Sequence, residues 1–345
     1  MAIKSSHVLI CRTDNIGDVI LTLPITARLK QLYPSIKISF LCRAYAASVV
    51  RHCRSVDEVV ELENFLPDPA GYFARSGIDT IIFSQPDQRL ALEAFKARIP
   101  NRIGNARHKL YQRLFCNRRV YFKKGTSEYH EAQFNFEFLR PYGLDTIPGL
   151  AEVSALYGFD IPEIPEIKQL FDQHPVNIIL HTKSNGHGRE WPIAHYLTLA
   201  KKLSKDSNIQ LWLTGSPTEG QWLAENAAAL LKLPNVSNVC GKLTLDQLTS
   251  FIKGADGLIA SGTGPLHISA AIGQRTLGLF PPIRPMHPGR WAPLGQHAQT
   301  LCQPGNCDGC KRDDAGTCAC MKKITPDAVE EIVLQWCKEA VPSTT

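Results

Sequence analysis

No stretch of this chain stays apolar for the roughly 18 residues that a membrane-spanning helix needs, which argues against a helical membrane protein. The opening residues, MAIKSSHVLICRT, have no long apolar core before charge returns, so no signal peptide is expected and the protein is expected to be cytoplasmic. No strand-like run leads into G-x-G-x-x-G, which disfavours a nicotinamide-dependent dehydrogenase. No D-x-D metal site stands out, and the RDD at 312–314 reads as a solvated loop inside a cysteine-rich segment. Internal repeats and low-complexity segments are absent as well.

What is present is ordinary soluble-domain composition, 44% hydrophobic and 20% charged over 345 residues, enough for two domains of usual size. The net charge is +6, which suits an anionic ligand or a membrane surface as well as it suits plain solvated lysines and arginines. Short runs rich in Val, Ile and Phe (8–11, 36–42, 56–62, 78–83) alternate with helical stretches such as 19–33 and 44–52. That alternation predicts an α/β fold with parallel sheets and helices on both faces. Pro24 marks a kink or boundary in the first helix. A proline-rich passage, 143–175, separates this series from a second one with strands at 176–181, 209–214, 257–260 and 276–280. The expected organisation is an N-terminal domain over 1–160, a C-terminal domain over 161–325, and a terminal segment, 326–345, whose helix can pack back on the N-terminal domain. In that helix Val329, Ile332, Val333 and Trp336 share one face. Two doubly wound domains of this kind are expected to face a central cleft, with ligands at the carboxyl ends of the strands.

The strand–turn–helix at CRTDNIGDVILTLP, residues 11–24, is where a nucleotide fold usually cradles phosphate. Here it holds one glycine, Gly17, and two carboxylates, Asp14 and Asp18. A phosphate would be repelled. In the second half the loop HTKSNGHGREWP offers Thr182, Lys183, Ser184, Arg189, two glycines and a helix start at Pro192, a set that suits a pyrophosphate. Its alternative is an ordinary polar loop. SGTGPLHISAA brings Gly262, Thr263, Gly264 and His267 to a second helix start; a histidine there is as readily structural. Glu219, beyond the strand 209–214, is placed for a ribose diol or is a solvated acid. The nucleotide diphosphate therefore belongs to the second half. The first half keeps a carboxylate suited to remove a proton from an attacking hydroxyl.

Residues 102–119 hold Arg102, Arg107, Lys109, Arg113, Arg118 and Arg119 and no acid. They suit a groove for an anionic acceptor or for a membrane surface, or a solvated basic helix face. No recognition motif accompanies the charge, so nucleic acid is the poorer fit. Of eleven cysteines, five cluster as Cys302, Cys307, Cys310, Cys318 and Cys320. Cys307-x2-Cys310 has metal-ligand spacing, whereas Cys318-x-Cys320 is too close for a standard knuckle, so structural zinc and free or disulfide-capable thiols both stay open. The other six are scattered and read as buried thiols.

RTDNIGDVILTLP with LKQLYP behind it, then REWP, GSPTE and TGPLHISAAIG, occur in an order and spacing that resembles glycosyltransferase family 9, the bacterial lipopolysaccharide heptosyltransferases. The resemblance spans most of the chain. It implies a GT-B fold and inverting transfer without metal or other cofactor. It also implies a nucleotide-sugar donor, an ADP-sugar, and an anionic glycolipid acceptor at the inner face of the cytoplasmic membrane. Carried over by position, Asp18 matches the catalytic base and Arg12 a basic residue meeting donor or acceptor phosphate. Thr182, Lys183 and Arg189 match the donor phosphate contacts, Glu219 the ribose acid, and Thr263, Gly264 and His267 the last donor loop. Arg189 stands where the family usually carries lysine. Gly262 stands where it usually carries an aspartate, so the resemblance implies the reaction class more tightly than the sugar. A nucleotide-sugar epimerase of the same fold, or a non-catalytic nucleotide-binding module, stays open beside a heptosyltransferase.

Overall fold

The computed structural model describes every residue except 1, 108, 126–127, 185, 187, 306, 308–309, 314–315 and 341–345, and the side chains of 339 and 340. Asp314 of the RDD triplet and the end of the terminal segment therefore lie outside the described residues. The chain forms two compact units, Met1–Asp160 and Ile161–Thr345, each carrying one six-stranded sheet.

The first sheet comprises β1 (His7–Cys11), β2 (Lys37–Cys42), β3 (Glu58–Glu61), β4 (Thr80–Phe83), β5 (Asn101–Asn105) and β6 (Arg118–Val120). The second comprises β7 (Val176–His181), β8 (Ile209–Thr214), β9 (Val236–Asn238), β10 (Gly257–Ser261), β11 (Thr276–Phe280) and β12 (Ala298–Cys302). The orders are β3-β2-β1-β4-β5-β6 and β9-β8-β7-β10-β11-β12. These are one winding used twice: a central first strand, the next two to one side, the last three to the other. All pairs are parallel, with Val8 opposite Thr80 and Leu258 opposite Ile179. Each sheet therefore has a switch point, between β1 and β4 and between β7 and β10, where the strand order reverses direction.

β1 and β7 are buried along their whole length, which is why HVLIC and VNIILH read as continuous apolar runs rather than alternating ones. Their polar members are hydrogen-bonded: His7 with Ser39 Oγ and the Ser76 carbonyl, His181 with Thr214, and Asn177 accepting from the Trp212 indole.

Three features differ in detail from the sequence reading. The first helix is two, Ile16–Ile20 and Pro24–Leu32, because Pro24 has no N–H to continue the ladder and instead begins the second piece. The basic stretch is not a helix face. It is β5, a short helix Leu110–Phe115, and β6, in which Ile103 and Val120 are buried, Arg102 is half-buried and Arg118 and Arg119 are both exposed. The terminal helix, Pro326–Ala340, is part of the second unit. Val329, Val333 and Trp336 join its core, and Lys202, on the helix Ile193–Leu203, pairs with Asp327 and Glu330 at 2.6 Å each. Trp336 packs so tightly on β10 that a Cβ at Gly257 would fall 2.5 Å from its ring.

Candidate functional site

In the first unit, the loops leaving β1 and β4 meet. Arg12, the residue after β1, is 3% exposed. Its guanidinium bonds Asp14 Oδ1 through Nε at 2.7 Å, Asp18 Oδ1 through Nη2, and the Ser84 carbonyl after β4 through Nη1 at 3.4 Å. Thr13 donates to Gln85 at 3.2 Å, tying the same two loops. Glu131, the first residue of the helix Glu131–Phe136, brings a further carboxylate 3.6 Å from Arg12 Nη2 and is itself 1% exposed. Lys124 pairs with that carboxylate. Asp18 sits in the first turn of Ile16–Ile20, where unpaired N–H groups favour a negative charge. Burial nevertheless raises its carboxyl from 3.8 to about 6; Arg12 pulls it down, Asp14 and Glu131 push it up, and Lys124 pulls it down. Arg12, expected to meet a donor or acceptor phosphate, here has its guanidinium bonded to Asp14, Asp18 and the Ser84 carbonyl. Glu131 and Lys124 had no signal in the sequence, since they reach the site from more than a hundred residues away.

In the second unit, the loops after β7 and β10 meet in the same way. Trp191 N donates to Ser261 Oγ at 3.3 Å, and a Cβ on Gly188 would come 3.3 Å from the Gly262 carbonyl. Glu190 organises the 182–190 loop: Lys183 Nζ bonds its Oε2, and Ser184 N and Oγ bond its Oε1 at 2.8 and 2.9 Å. Lys183 also lies 3.7 Å from the centre of the Trp222 ring. Glu190, the one acid in HTKSNGHGREWP, is thus the residue that shapes the loop. Some buried side-chain atoms without a protein hydrogen-bond partner lie here. Thr182 Oγ1, Arg189 Nε and Thr263 Oγ1, all from the expected donor set, are among them. Native interiors rarely leave such atoms unmet, which points to a ligand or solvent as their partner. Thr182, Lys183, Glu190, Trp222 and Thr317 border a cavity of about 200 Å³. The helix Gly264–Ala271 starts without a side-chain cap from Thr263, and His267 is buried at the end of its first turn.

The remaining expected residues are placed as follows. Glu219 completes a capping box: its carboxylate accepts from Ser216 N at 2.7 Å while Ser216 Oγ accepts from Glu219 N. Arg113, Arg118 and Arg119 are exposed, with one guanidinium edge each held, to the Ala106 carbonyl, Asn101 Oδ1 and the Cys116 carbonyl. Leu110, Leu114 and Tyr121 are exposed among them. Of the five clustered cysteines, Cys307, Cys310 and Cys320 bring their sulfurs within 4.8 Å of one another. Cys318 is buried beside Cys310, and Cys302 closes β12 with its thiol on the Gln303 carbonyl.

Residues 74–318 match the sequence profile of Glycosyltransferase family 9 (heptosyltransferase). A Haemophilus influenzae protein named "Putative glycosyltransferase" is 27% identical over 303 residues, 83% of this chain and 86% of that one. Lipopolysaccharide heptosyltransferase 2 of Escherichia coli is 30% identical over 102 residues, 29% of either chain. The solved structure of E. coli ADP-heptose lps heptosyltransferase II superposes with a TM-score of 0.77 at 19% identity, over 96% of this chain and 99% of that one. At that identity the likeness shows the fold, which is GT-B.

Proposed function

Starting from the chain's membership of glycosyltransferase family 9, which makes it a glycosyltransferase, we propose that it moves a heptose from ADP-heptose, with inversion, onto a lipopolysaccharide core or related surface-glycan acceptor. The relatives' names support the sugar and the acceptor. One observation carries the chemistry: Asp18, a half-buried carboxyl paired with Arg12 and raised to about 6 at the switch point of the first sheet. A general base works best when its pKa lies just below the working pH. Near neutrality Asp18 is mostly ionised, and Arg12 occupies Oδ1, leaving Oδ2 to take the proton.

The steps balance without further groups. The acceptor hydroxyl oxygen forms the new bond to C1, its proton goes to Asp18, and the C1–O bond to the diphosphate breaks with both electrons leaving on ADP. The transition state has oxocarbenium character. Lys183 and Arg189 neutralise charge as it grows on the diphosphate, with the backbone N–H groups that begin the helices at 193 and 264. Thr182 and Thr263 hydroxyls give the phosphate oxygens hydrogen bonds. Arg113, Arg118 and Arg119, with Leu110, Leu114 and Tyr121 exposed beside them, suit an acceptor that is both anionic and lipidic and support peripheral contact with the inner membrane. Among the described residues no helix is long and apolar enough to cross a membrane.

Gly262 bears on the sugar. A Cβ there would meet the Phe280 ring at 3.2 Å, so the aspartate usual in the family would need that ring to shift. The decisive experiment is a donor comparison. ADP-heptose, ADP-glucose and UDP-sugars are offered with a heptose-deficient core acceptor, and the product's anomeric configuration is read by NMR. Transfer of heptose with inversion supports the proposal. Turnover of donor to its epimer, or binding of donor with no turnover, removes it.

A further inference from the structure

The cysteine-rich segment between β12 and the terminal helix has no part in the chemistry above, yet it lies on the 182–191 loop. Arg312 Nη1 donates to the Gly186 carbonyl at 2.6 Å. Arg189 Nη2 donates to the Cys310 carbonyl at 3.3 Å. Glu190 N donates to the Gly316 carbonyl at 2.9 Å. Trp191 Nε1 donates to the Ile324 carbonyl at 2.8 Å. Four bonds therefore join the two segments, two of them through cations, Arg312 of the segment and Arg189 of the loop, and one through the backbone of the glutamate that holds Lys183.

We propose that Cys307, Cys310 and Cys320, with Cys318 as fourth ligand, bind one zinc ion, and that this site holds the segment that braces the 182–191 loop.

Three observations carry it. First, the sulfurs of Cys307, Cys310 and Cys320 converge within 4.8 Å, and Cys310 also touches the Cys318 thiol. A tetrahedral site with metal–sulfur bonds of ~2.3 Å separates its sulfurs by ~3.8 Å, so small side-chain adjustments close this group on a metal. Second, Cys310 N donates to Cys307 Sγ at 3.3 Å. This is a turn in which a backbone N–H supports the sulfur of a C-x2-C pair, as ligating groups need from their surroundings. Third, none of these cysteines is in a disulfide, and gathered thiolates repel unless a cation neutralises them. An all-thiolate set is soft and selects zinc or iron over magnesium or calcium. The x7 spacing from Cys310 to Cys318 and the single residue between Cys318 and Cys320 depart from an ordinary knuckle. The helix Ala319–Lys322, which starts at Cys318, turns the chain so that Cys320 returns to the first pair. Cys302 is no part of the group.

The metal site stands on its own geometry; the bracing role rests on reading 182–191 as the donor loop. The full-length protein, purified under reducing conditions without chelator, is assayed by plasma mass spectrometry. About one zinc per chain is expected, and occupancy falls at least tenfold in Cys307→Ser, Cys310→Ser and Cys320→Ser while Cys302→Ser keeps it. Iron in place of zinc overturns the choice of metal. Fewer than about one metal in ten chains, with four free thiols or with disulfides by mass mapping, overturns the site. Bracing is tested by Arg312→Ala, which leaves every thiol in place. Metal content and melting temperature should stay at wild type while ADP binds several-fold more weakly by calorimetry. Unchanged ADP affinity in Arg312→Ala overturns the brace. Unchanged affinity in Lys183→Ala and Arg189→Ala as well overturns the donor assignment instead.

Discussion

The turn after β1 and the turn after β7 occupy the same place in the same winding and carry opposite charge. The first gathers three carboxylates, Asp14, Asp18 and Glu131, around one buried arginine. The second gathers Lys183 and Arg189 near one buried glutamate, which bonds the lysine. In each, the minority charge, Arg12 or Glu190, is buried and holds majority charge by ion pairs, with Glu131 buried as deeply as Arg12. Topology thus supplies a position and leaves the sign of its field to a few side chains. One sign suits proton removal and the other suits a diphosphate. The comparison breaks if either turn tolerates loss of its majority charge.

The largest effect is expected at Asp18. Asp18→Asn should lower turnover by about 10²–10⁴, the usual range for a lost general base, with ADP affinity unchanged. Wild-type kcat/KM should fall on the acid side of pH about 6, and the residual activity of the variant should lack that limb. Stability gives an independent reading. The folded-state value stands above the unfolded 3.8, so between about 4 and 6 the folded protein holds the proton and the unfolded chain does not. This group's contribution is therefore greatest at low pH, falls as pH rises through that window, and levels off above it. The difference in melting temperature between Asp18→Asn and wild type should shift in the variant's favour from pH 4 to pH 7. A flat difference places the acid limb elsewhere. Arg12→Ala should fold poorly, losing on the order of 3–5 kcal/mol because three carboxylates lose their common partner; a urea midpoint near wild type would mean that Arg12 does not hold them.

Next come the cations of the second turn. Lys183→Ala and Arg189→Ala should each weaken ADP binding by about ten- to a hundredfold, from charged hydrogen bonds worth roughly 1.5–3 kcal/mol. Glu190→Gln should weaken it less, by releasing Lys183. Glu219 tests a smaller distinction. As a cap its loss costs about 1 kcal/mol of stability, and Glu219→Gln keeps the capping box that Glu219→Ala destroys. If Glu219 only caps, Gln restores the melting temperature and ADP affinity never changes. If it also holds the ribose, both variants bind ADP more weakly.

The sequence carried the sheets well because their central strands are unbroken apolar runs, and it carried Asp18 because two acids at a one-glycine turn are chemically odd. What it could not carry were partners brought in by tertiary packing. Glu131 follows a capping histidine and looks like any first-turn acid until the fold buries it against Arg12. Glu190 stands in the sequence as the one acid of HTKSNGHGREWP, and sequence counts charge without showing who is bonded to whom. The run 102–119 read as a basic face because its charge hides Ile103, a buried strand position, and because Val120, the buried residue of β6, lies just beyond it. Cys307-x2-Cys310 was legible by spacing, whereas the return of Cys320 depends on a four-residue helix.

The smallest effect expected is at the exposed arginines. Arg113, Arg118 and Arg119 each keep one edge on protein acceptors and lie in solvent, so their contribution is a field screened over about 10 Å at 0.1 M salt. Neutralising all three to glutamine should raise the acceptor KM by a few-fold at low salt and less as salt rises, because salt has already weakened the wild type. Donor KM should not move, since these side chains lie in the first unit and the nucleotide is assigned to the second. Tyr121 and Leu114 give the apolar counterpart. Leu114→Ser with Tyr121→Ser should reduce sedimentation with anionic vesicles at every salt concentration, because apolar burial is not screened. A triple variant that melts lower and slows with both substrates alike would make the arginines structural. One with normal melting and unchanged acceptor kinetics would reduce them to a solvated surface and leave the acceptor to be held by other groups.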